Sequence, residues 1–310
     1  MANIVQMLAD GLIFSCIIVL GAIGLSLIYS IADFANFAHG DLMTVGAFGG
    51  LVGATEFAKL LPGDSIVFFE LPISLYFGLL FGMAAAAAVT LVTERLIYRP
   101  LKDAGSIELL ITSIGIALAY RAIIQLSFGA DQERYEIASQ GRIDWFFEAT
   151  QSLGGIALTQ RDFVILVVTI LLVVGLHTLL QYTTLGRKMR ATADNPSLAR
   201  VSGIRTREVV LAMWIIGGAL AAAGGVFLGI DTLVRPRMGF DLLLVVFAAV
   251  ILGGIGSVYG AMLGGLVIGM AHELTPAIPF VPVEYAPAVA FALMIIILLV
   301  RPQGIMGEAT

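Results

Sequence analysis

Long apolar runs separated by short polar stretches dominate the pattern of this chain. Several runs exceed about 18 residues with almost no charge, a length that allows a helix to cross a bilayer. The pattern therefore predicts an all-α polytopic membrane protein with about eight or nine transmembrane helices. The apolar segments expected to form them are 8–30, 37–54, 66–93, 107–128, 161–181, 208–230, 241–256, 257–273 and 285–300.

The composition supports a membrane location for the whole chain. Hydrophobic residues make up 59% of the 310 residues and charged residues only 13%, with a mean hydropathy of +0.99. A soluble domain would carry about a quarter charged residues. We therefore expect one membrane domain over 1–310, with no soluble domain attached. Cys16 is the only cysteine, so no disulfide forms within the chain, and we expect it to be a small buried residue.

The basic residues indicate how the helices are oriented. Segments 94–106 and 182–207 are rich in Arg and Lys, whereas loops of the opposite side carry fewer over a greater length. The positive-inside rule places these two segments and the C-terminus in the cytoplasm, and the N-terminus outside. No Lys or Arg precedes Lys59, so no secretory signal is expected at the start of the chain. Trp145, in the outer loop 129–160, is expected at the outer interface.

One predicted hairpin is too short to cross the membrane twice. Residues 241–273 number 33, whereas two crossings need about 40 residues. The middle of the hairpin reads "LGGIGSVYGAMLGG", in which glycines allow the backbone to leave the helix. Irregular backbone at membrane depth must be buried in protein or line a wet cavity. We therefore expect Gly253, Gly254 and Gly256 to form a broken-helix hairpin that lines the substrate path.

A second irregular stretch, "SIADFANFAHGDLMTVG", places polar residues between the first two apolar segments. Asn36 is predicted to cap a helix that begins at Phe37, which leaves the first backbone amides at a positive helix end. Two interpretations stay open. This end holds a substrate carboxylate or a partner's side chain, or it is a capped structural turn whose polar groups act in gating. The residues assigned here to the substrate path or to gating are Asn36, His39, Gly40 and Thr44.

Segments 8–54 and 208–256 share one design and cross the membrane in opposite senses. Each pairs a long helix with a polar break and a Gly-rich continuation, which is typical of an inverted repeat. Arg121 lies inside a predicted span and therefore needs a partner or a wet cavity. The sequence does not identify that partner, because Glu108 is nearly four turns away.

The cytoplasmic stretch from Thr183 to Glu208 is far longer than a tight turn. Within it, "NPSLARVSG" predicts a short helix, with Asn195 as the N-cap, Pro196 in the first turn and Gly203 at the stop. Such a helix suits the groove of another protein. An ordinary basic loop beside anionic lipid explains the same charges, so both interpretations stay open at this point.

The chain carries no recognisable catalytic or cofactor motif. The histidines His39, His177 and His272 lie in different segments, so no metal or catalytic cluster is predicted. "GGIGSVYG" has the wrong final spacing for a dinucleotide fingerprint and no strand–helix context. No Gly-Lys-Ser/Thr phosphate loop is present, so ATP binding of that type is not expected in this chain.

Four ordered stretches resemble permeases of the branched-chain (hydrophobic) amino acid ABC transporter family. They are "GLSLIYSIADFANFAHGDLMTVGAF", with the family's Asn-Phe-Ala-His-Gly core, then "ERLIYRPLKDAG", "GRKMRATADNPSLARVSGI" and "AAVILGGIGSVYGAMLGGLVIG". The resemblance covers nearly the whole chain and is specific to the family. It is less specific to the substrate, because related permeases carry urea, short amides or other small acids.

The resemblance implies a heteromeric importer in a bacterial or archaeal cytoplasmic membrane. A second homologous permease would complete the pore, two ATP-binding subunits would hold ATP and Mg, and an extracytoplasmic binding protein would deliver a small-molecule substrate. This chain would itself be non-enzymatic, without cofactor, in contact with membrane lipid and not with nucleic acid. The residues that the resemblance assigns to ATPase coupling are Gly186, Arg187, Arg190, Asn195, Leu198, Ala199 and Gly203.

Two other classes of transport protein compete with this interpretation. An ion-coupled secondary transporter needs ionisable relays within the membrane, for which Asp33 and Asp41 are candidates at the edge of a span. A channel is the third possibility. Neither class requires the long basic cytoplasmic loop.

Overall fold

The computed structural model describes residues 4–60, 67–68, 71–102, 104–137, 141–278 and 280–307. Helices account for most of them, and a single turn of π-helix, Glu94–Tyr98, continues the third helix. The helices are α1 Ile4–Ala32, α2 Ala38–Leu60, α3 Ile73–Thr93, α4 Ser106–Phe128, α5 Asp144–Ala149, α6 Gln160–Tyr182, α7 Thr184–Asp194, α8 Pro196–Val201, α9 Thr206–Asp231, α10 Met238–Gly253, α11 Val258–Glu273 and α12 Ala286–Val300. Short 3₁₀ turns lie at Gln151–Leu153, Thr275–Ala277 and Val283–Tyr285.

Every predicted apolar segment contains a helix, which confirms the all-α polytopic class. Within the described residues, six helices are long and apolar enough to cross a membrane, namely α1, α3 with its π-turn, α4, α6, α9 and α12 with the preceding 3₁₀ turn. The helices α10 and α11 have 16 residues each. They are shorter than the roughly 20 residues of a full crossing, as the hairpin length predicted.

The segment predicted over 66–93 was wrong at its start. Helix α3 begins only at Ile73, and two short antiparallel strands precede it, β1 Val67–Phe68 and β2 Leu71–Pro72. Pro72 stands in extended backbone just before the helix, because its ring fixes φ and it lacks a donor for a preceding turn. Hydropathy alone did not distinguish this apolar hairpin from the first turn of a helix.

The helices α1 and α9 form the centre of the bundle. Their most apolar windows are 89% and 67% buried, against 28% for α4 and 22% for α6. A helix that is apolar on all sides is stable either inside a protein or against lipid. The central helices are therefore enclosed by protein, and the outer helices present apolar side chains outward.

The antiparallel pair of α1 and α9 gives the bundle an internal symmetry. Along α1 and α9, Gly24 lies against Gly217 and Gly21 against Gly224, so the two helices run in opposite directions. Each is followed by a short link, residues 33–37 or 232–237, and then by α2 or α10. The arrangement matches the inverted repeat expected for 8–54 and 208–256.

Candidate functional site

The helices α2 and α10 begin side by side near the middle of the bundle. His39 Nε2 donates to the carbonyl of Gly21, near the middle of α1, at 2.9 Å. A Cβ on Gly40 would lie 2.5 Å from the carbonyl oxygen of Gly239, and the amide of Gly239 donates to Thr44 Oγ1 at 3.1 Å. Both N-terminal ends therefore lie inside the bundle and not at its rim. We call this place the half-helix junction.

Two links carry the chain back into the bundle to reach this junction. After α1, Asp33 adopts the left-handed region at φ +55, which Asp tolerates better than most residues. Phe37 then donates its amide to Ser113 Oγ at 3.0 Å. In the second link, the Val234 amide and carbonyl pair with the backbone of Glu133 at 3.0 and 2.9 Å. The links thus fix the depth at which α2 and α10 start.

The first amides of α2 are already bonded within the chain. The Ala38 amide donates to Asn36 Oδ1 at 3.1 Å and the His39 amide to the Asn36 carbonyl at 3.2 Å. Tyr98 Oη also donates to Asn36 Oδ1, at 3.1 Å. The helix begins at Ala38, one residue later than expected. This geometry matches the capped structural turn, because it leaves these amides no role as donors to a carboxylate.

The four residues assigned to this end of the path are enclosed by protein. Asn36, His39 and Thr44 are 0% exposed, and Gly40 is in contact with Gly239. A gating role for them stays a prediction, and it would act through the contacts between α2, α1 and α10.

A bidentate ion pair supplies the partner that the sequence did not reveal for Arg121. Its Nε and Nη2 donate to Asp41 Oδ1 and Oδ2 at 3.1 and 3.0 Å. The Asp41 side chain is 0% exposed and that of Arg121 is 14% exposed. The guanidinium also lies 4.4 Å from the ring centroid of Phe240. The pair joins α4 to the first turn of α2 at the depth of the half-helix junction.

Further charges lie at the start of α10 and in the link before it, at the same junction. Arg237 and Asp241 are both exposed, and Asp241 lies 3.8 Å from Arg235. The Arg237 guanidinium is 5.9 Å from the centroid of Phe240. The Phe240 ring thus lies near the guanidinium groups of both Arg237 and Arg121. These charges were not identified from the sequence as part of a site, because Arg235 and Arg237 were counted among the basic residues of the outer loops. Their charge was the local signal that could have indicated the site.

The Gly-rich hairpin contains the expected break. Gly253 ends α10, Gly254 and Gly256 have φ values of +105 and +84, and Ser257 caps α11 by accepting from the amide of Gly260. Such φ values are open to glycine at little cost. The helix is therefore interrupted at the positions that the sequence indicated.

The break is covered by the chain's own C-terminal residues. Ile305 and Met306 donate their amides to the carbonyls of Leu252 and Gly253 at 2.8 and 2.9 Å. A Cβ on Gly254 would lie 2.5 Å from the amide nitrogen of Gly307. These contacts satisfy the backbone of the break by protein instead of by water, so its role in lining a path stays a prediction.

The stretch from Thr183 to Glu208 contains the short helix that its caps predicted, α8, and a second helix, α7, that was not predicted. Asn195 Oδ1 accepts from the amides of Ser197 and Leu198 at 3.1 and 2.9 Å, and Gly203 ends the turn at φ +82. Leu198 is 62% exposed, whereas Ala199 is only 3% exposed. The expectation that both touch a partner needs correction, because Ala199 is covered by its own chain. The apolar surface available to a partner is Leu198 with Val201.

The remaining coupling candidates connect α7 to the transmembrane helices. Gly186 packs against the backbone of α6, and Arg187 is exposed. Arg190 donates to the Leu180 carbonyl at 2.7 Å and to Gln181 Oε1 at 2.8 Å. Gln181 Nε2 in turn donates to Tyr259 Oη in the first turn of α11 at 3.0 Å. This chain of hydrogen bonds links α7 to the hairpin beside its break.

An apolar cavity is a separate feature of the molecule. About 670 Å³ of space lies between α2, α3 and α4. It is lined by apolar side chains and by Thr93, Tyr120 and Ser127, with no Asp, Glu, Lys or Arg. A charged substrate would find no counter-charge there, so the half-helix junction is the candidate site for such a molecule.

Comparison with known proteins identifies the family. Residues 7–298 match the family model described as branched-chain amino acid transport system / permease component. The high-affinity branched-chain amino acid transport system permease protein BraD of Pseudomonas aeruginosa is 32% identical, over 98% of this chain and 95% of that protein. LivH of Salmonella typhimurium, with the same description, is also 32% identical over 98% and 95% of the two chains.

An archaeal relative extends this range of organisms. The probable branched-chain amino acid transport permease protein LivH of Methanocaldococcus jannaschii is 30% identical over 97% of this chain and 92% of that protein. Among solved structures, a chain of PsaBC from Streptococcus pneumoniae in complex with Fab aligns over 96% of this chain and 93% of that chain, with a TM-score of 0.49 and 12% identity. The family match and the three relatives cover nearly the whole chain. This chain therefore belongs to the family of permease components of branched-chain amino acid transport systems.

Proposed function

We propose that this chain is the membrane-spanning permease subunit of an ATP-driven importer of branched-chain and related hydrophobic amino acids. The observation that carries the proposal is the full-length similarity to permeases named for these substrates. The half-helix junction supports it, because transporters build midplane binding sites from discontinuous helices. In this chain, α2 and α10 both begin at that depth, beside charged side chains.

The partners follow from the same proposal. A second homologous permease completes the pore, and two ATP-binding subunits, holding ATP and Mg, dock on α8. Exposed Leu198 and Val201 suit such a contact, since transfer of apolar side chains out of water favours association of two proteins. An extracytoplasmic binding protein delivers the substrate. This chain then has no catalytic role and no cofactor of its own.

The orientation supports docking from the cytoplasm. Segments 94–106 and 182–207 carry the high density of basic residues, and the positive-inside rule places them on the cytoplasmic side with the C-terminus. The membrane is then the cytoplasmic membrane of a bacterium or an archaeon. In this orientation α8 faces the compartment that holds ATP.

The second candidate substrate class is urea or a short amide. These molecules carry no formal charge, whereas the half-helix junction holds the Asp41–Arg121 pair of α2 and α4, Asp241 of α10, and two arginines of the link that precedes α10, Arg235 and Arg237. Charged groups at membrane depth are costly and mark sites that use them. The junction therefore favours a substrate with formal charges over an uncharged amide.

Reconstitution tests the proposal. The complex formed with the subunits encoded beside this chain is placed in proteoliposomes with its binding protein, and uptake of labelled leucine is measured with and without ATP. We expect ATP-dependent uptake that unlabelled isoleucine and valine inhibit and that urea does not. Uptake of urea without uptake of leucine would transfer the proposal to the amide class, and uptake that follows an ion gradient without ATP would overturn it.

A further inference from the structure

Charged side chains of both signs meet at the half-helix junction. Asp41 and Arg121 form the buried bidentate pair. Arg237 is the residue before α10 and Asp241 lies in the first turn of that helix. The ring of Phe240 lies 4.4 Å from the Arg121 guanidinium and 5.9 Å from that of Arg237, and Arg235 lies 3.8 Å from Asp241. Three positive and two negative groups are therefore gathered at the start of α2 and α10.

The two pairs differ in how far their charges are satisfied. Arg121 and Asp41 saturate each other with two hydrogen bonds. Among the described residues, Arg237 forms no ion pair, and its nearest ring contact is Phe240 at 5.9 Å. In the same described part of the chain, the ion-pair partner of Asp241 is Arg235, at 3.8 Å, and both side chains are about half exposed. Arg237 and Asp241 are therefore open to a ligand.

Position adds a second argument. Arg237 is the N-cap of α10, and the Asp241 amide donates to its carbonyl at 3.0 Å, so the two residues are one helical turn apart on the same side of the helix start. Phe240 and Leu244, on the exposed side of the same helix, are 40% and 55% exposed. Charged side chains at membrane depth face a bundle interior or a water-filled cavity, so we expect this side of α10 to border one.

We propose that Arg237 binds the carboxylate and Asp241 the ammonium group of a zwitterionic amino acid as it passes the half-helix junction, with Phe240 and Leu244 receiving its apolar side chain. The inference rests on the proposed function and adds the residues that recognise the substrate. Arg suits a carboxylate because its fork donates two parallel hydrogen bonds. Asp accepts from an ammonium group, which has three donors.

The charges on the ligand narrow its class further. A ligand with a carboxylate alone leaves Asp241 with Arg235 as its partner, and a ligand with an ammonium group alone leaves Arg237 without a carboxylate. A zwitterion places each of its charges beside the opposite one. The Asp41–Arg121 pair is closed by its two hydrogen bonds, so Arg237 and Asp241 make the contacts. Selectivity then comes from the charges that an incomplete ligand leaves unpaired as well as from attraction.

The test measures binding of leucine to the purified full complex in detergent, without the binding protein, by calorimetry. Isocaproate, which lacks the ammonium group, and isoamylamine, which lacks the carboxylate, serve as the comparison probes. We expect the wild-type complex to bind leucine more tightly than either probe. Asp241→Asn should weaken leucine binding about tenfold, and Arg237→Gln likewise, since hydrogen bonds to charged groups are the strong ones.

The pattern of loss identifies the roles. Asp241→Asn should remove the preference for leucine over isocaproate, and Arg237→Gln the preference over isoamylamine. The charge-conserving variants Asp241→Glu and Arg237→Lys should keep part of it. Asp144→Asn removes an acid of the same type from an exposed ion pair in the outer loop, and it should change nothing.

Several results would overturn the inference while the proposed function stands. The first is that the wild-type complex transports leucine and that the Asp241→Asn and Arg237→Gln complexes also bind and transport it normally. Loss of assembly in both variants would show that these residues hold the two permeases together instead. If Arg235→Gln reproduced every effect of Asp241→Asn, the pair would be structural. Failure of the wild-type complex to take up leucine would instead contradict the proposed function.

Discussion

At the scale of single residues, Arg121 and Asp41 show how a membrane protein accommodates charge. Each alone would be a costly ion within an apolar bundle, and together they make two hydrogen bonds at 3.0 and 3.1 Å. Breaking a buried pair by removing one partner costs about 3–5 kcal/mol, whereas replacing both partners is often far less harmful. The pair therefore constrains both positions together.

We expect Arg121→Gln and Asp41→Asn each to lower the stability of the folded protein by about 3–5 kcal/mol, because each leaves a buried charge unpaired. The double variant should recover part of that loss. Thermal unfolding of the purified protein in detergent measures the effect. The exposed pair Arg142–Asp144, with side chains 52% and 79% exposed, is the control, and its single variants should cost about 0–1 kcal/mol. Equal effects at both pairs would contradict the structural role assigned to Arg121 and Asp41.

The closest helix approach of the junction gives a second prediction at this scale. An added methyl on Gly40 would lie 2.5 Å from the Gly239 carbonyl oxygen and 2.9 Å from Leu243 Cβ. Gly40→Ala should therefore push α2 from α10 and reduce the yield of folded protein. Gly115→Ala is the matched control, because nothing lies within 4 Å of its added methyl and Ala favours a helix. Gel filtration in detergent compares the two, and a normal profile for Gly40→Ala would show that the junction is not packed this closely.

At the scale of elements, α8 is a short helix held by local signals and presented on its exposed side. Asn195 caps it, Pro196 occupies its first turn and Gly203 ends it. Ala199 faces inward at 3% exposure, and Leu198 and Val201 face outward at 62% and 87%. Helices α7 and α9 cover the face of α8 that carries Ala199. The face with Leu198 and Val201 is left for contact with a partner.

Leu198→Asp should leave the fold intact and weaken docking of the ATP-binding subunits, because the side chain is exposed and an unpaired charge would be placed in an apolar contact. Substrate-stimulated ATP hydrolysis by the full complex should fall. Ala199→Asp is the contrasting variant: the charge would be buried within the chain itself, so unfolding temperature should fall as well. Normal stimulated hydrolysis in the Leu198→Asp complex would remove α8 from the docking surface.

A second element-scale feature is the polar connection from α7 to α11. Tyr259 Oη accepts from Gln181 at 3.0 Å and lies 2.9 Å from His177 Nδ1. Tyr259→Phe removes both contacts and little volume. We expect ATP hydrolysis to continue while leucine uptake per ATP falls, since movement of α7 would no longer reach the hairpin directly. Tyr182→Phe, at the exposed last residue of α6, is the control. An unchanged uptake ratio in Tyr259→Phe would show that the connection is only structural.

At the scale of the whole molecule, the distribution of charge and burial fits a bundle whose sides face lipid and whose ends face water. The windows of α6 and α12 are only 22% and 11% buried, although they are apolar. The basic segments lie at one end, and the outer loop, tied to the second link through Glu133 and Val234, lies at the other. This asymmetry predicts one orientation for the chain in the membrane.

Cysteine labelling tests that orientation. The single native cysteine, Cys16, is buried, so an impermeant thiol reagent reports on introduced residues. Ser152→Cys should react in intact cells, and Ser202→Cys only after the membrane is opened, because both positions are exposed on opposite ends of the bundle. The reverse pattern would invert the topology and move α8 away from the cytoplasm.

The chain's own pattern was enough to predict the class, nine helix-forming segments, the glycine break and the capped helix α8. These features depend on local properties, namely the length of apolar runs, cap residues and glycine conformations, which act between residues close in sequence. The family resemblance depends on the order of short motifs, so it could also be recognised from the sequence alone. The helix expected from residue 66 was the exception, since a short apolar hairpin has the same hydropathy as a helix turn.

Only the tertiary structure decided where the charges lie and what covers them. Asp41 and Arg121 are 80 residues apart, and Thr44 and Gly239 are 195 apart, so no local pattern relates them. Depth is set by links that return α2 and α10 to the middle of the bundle. In the same way, the sequence predicted a coupling role for Ala199 and a path-lining role for Gly254. In the structure, other parts of the chain cover both residues. Packing of the whole bundle decides which residues distant in sequence become partners. A hydropathy profile along the chain carries no information on that packing.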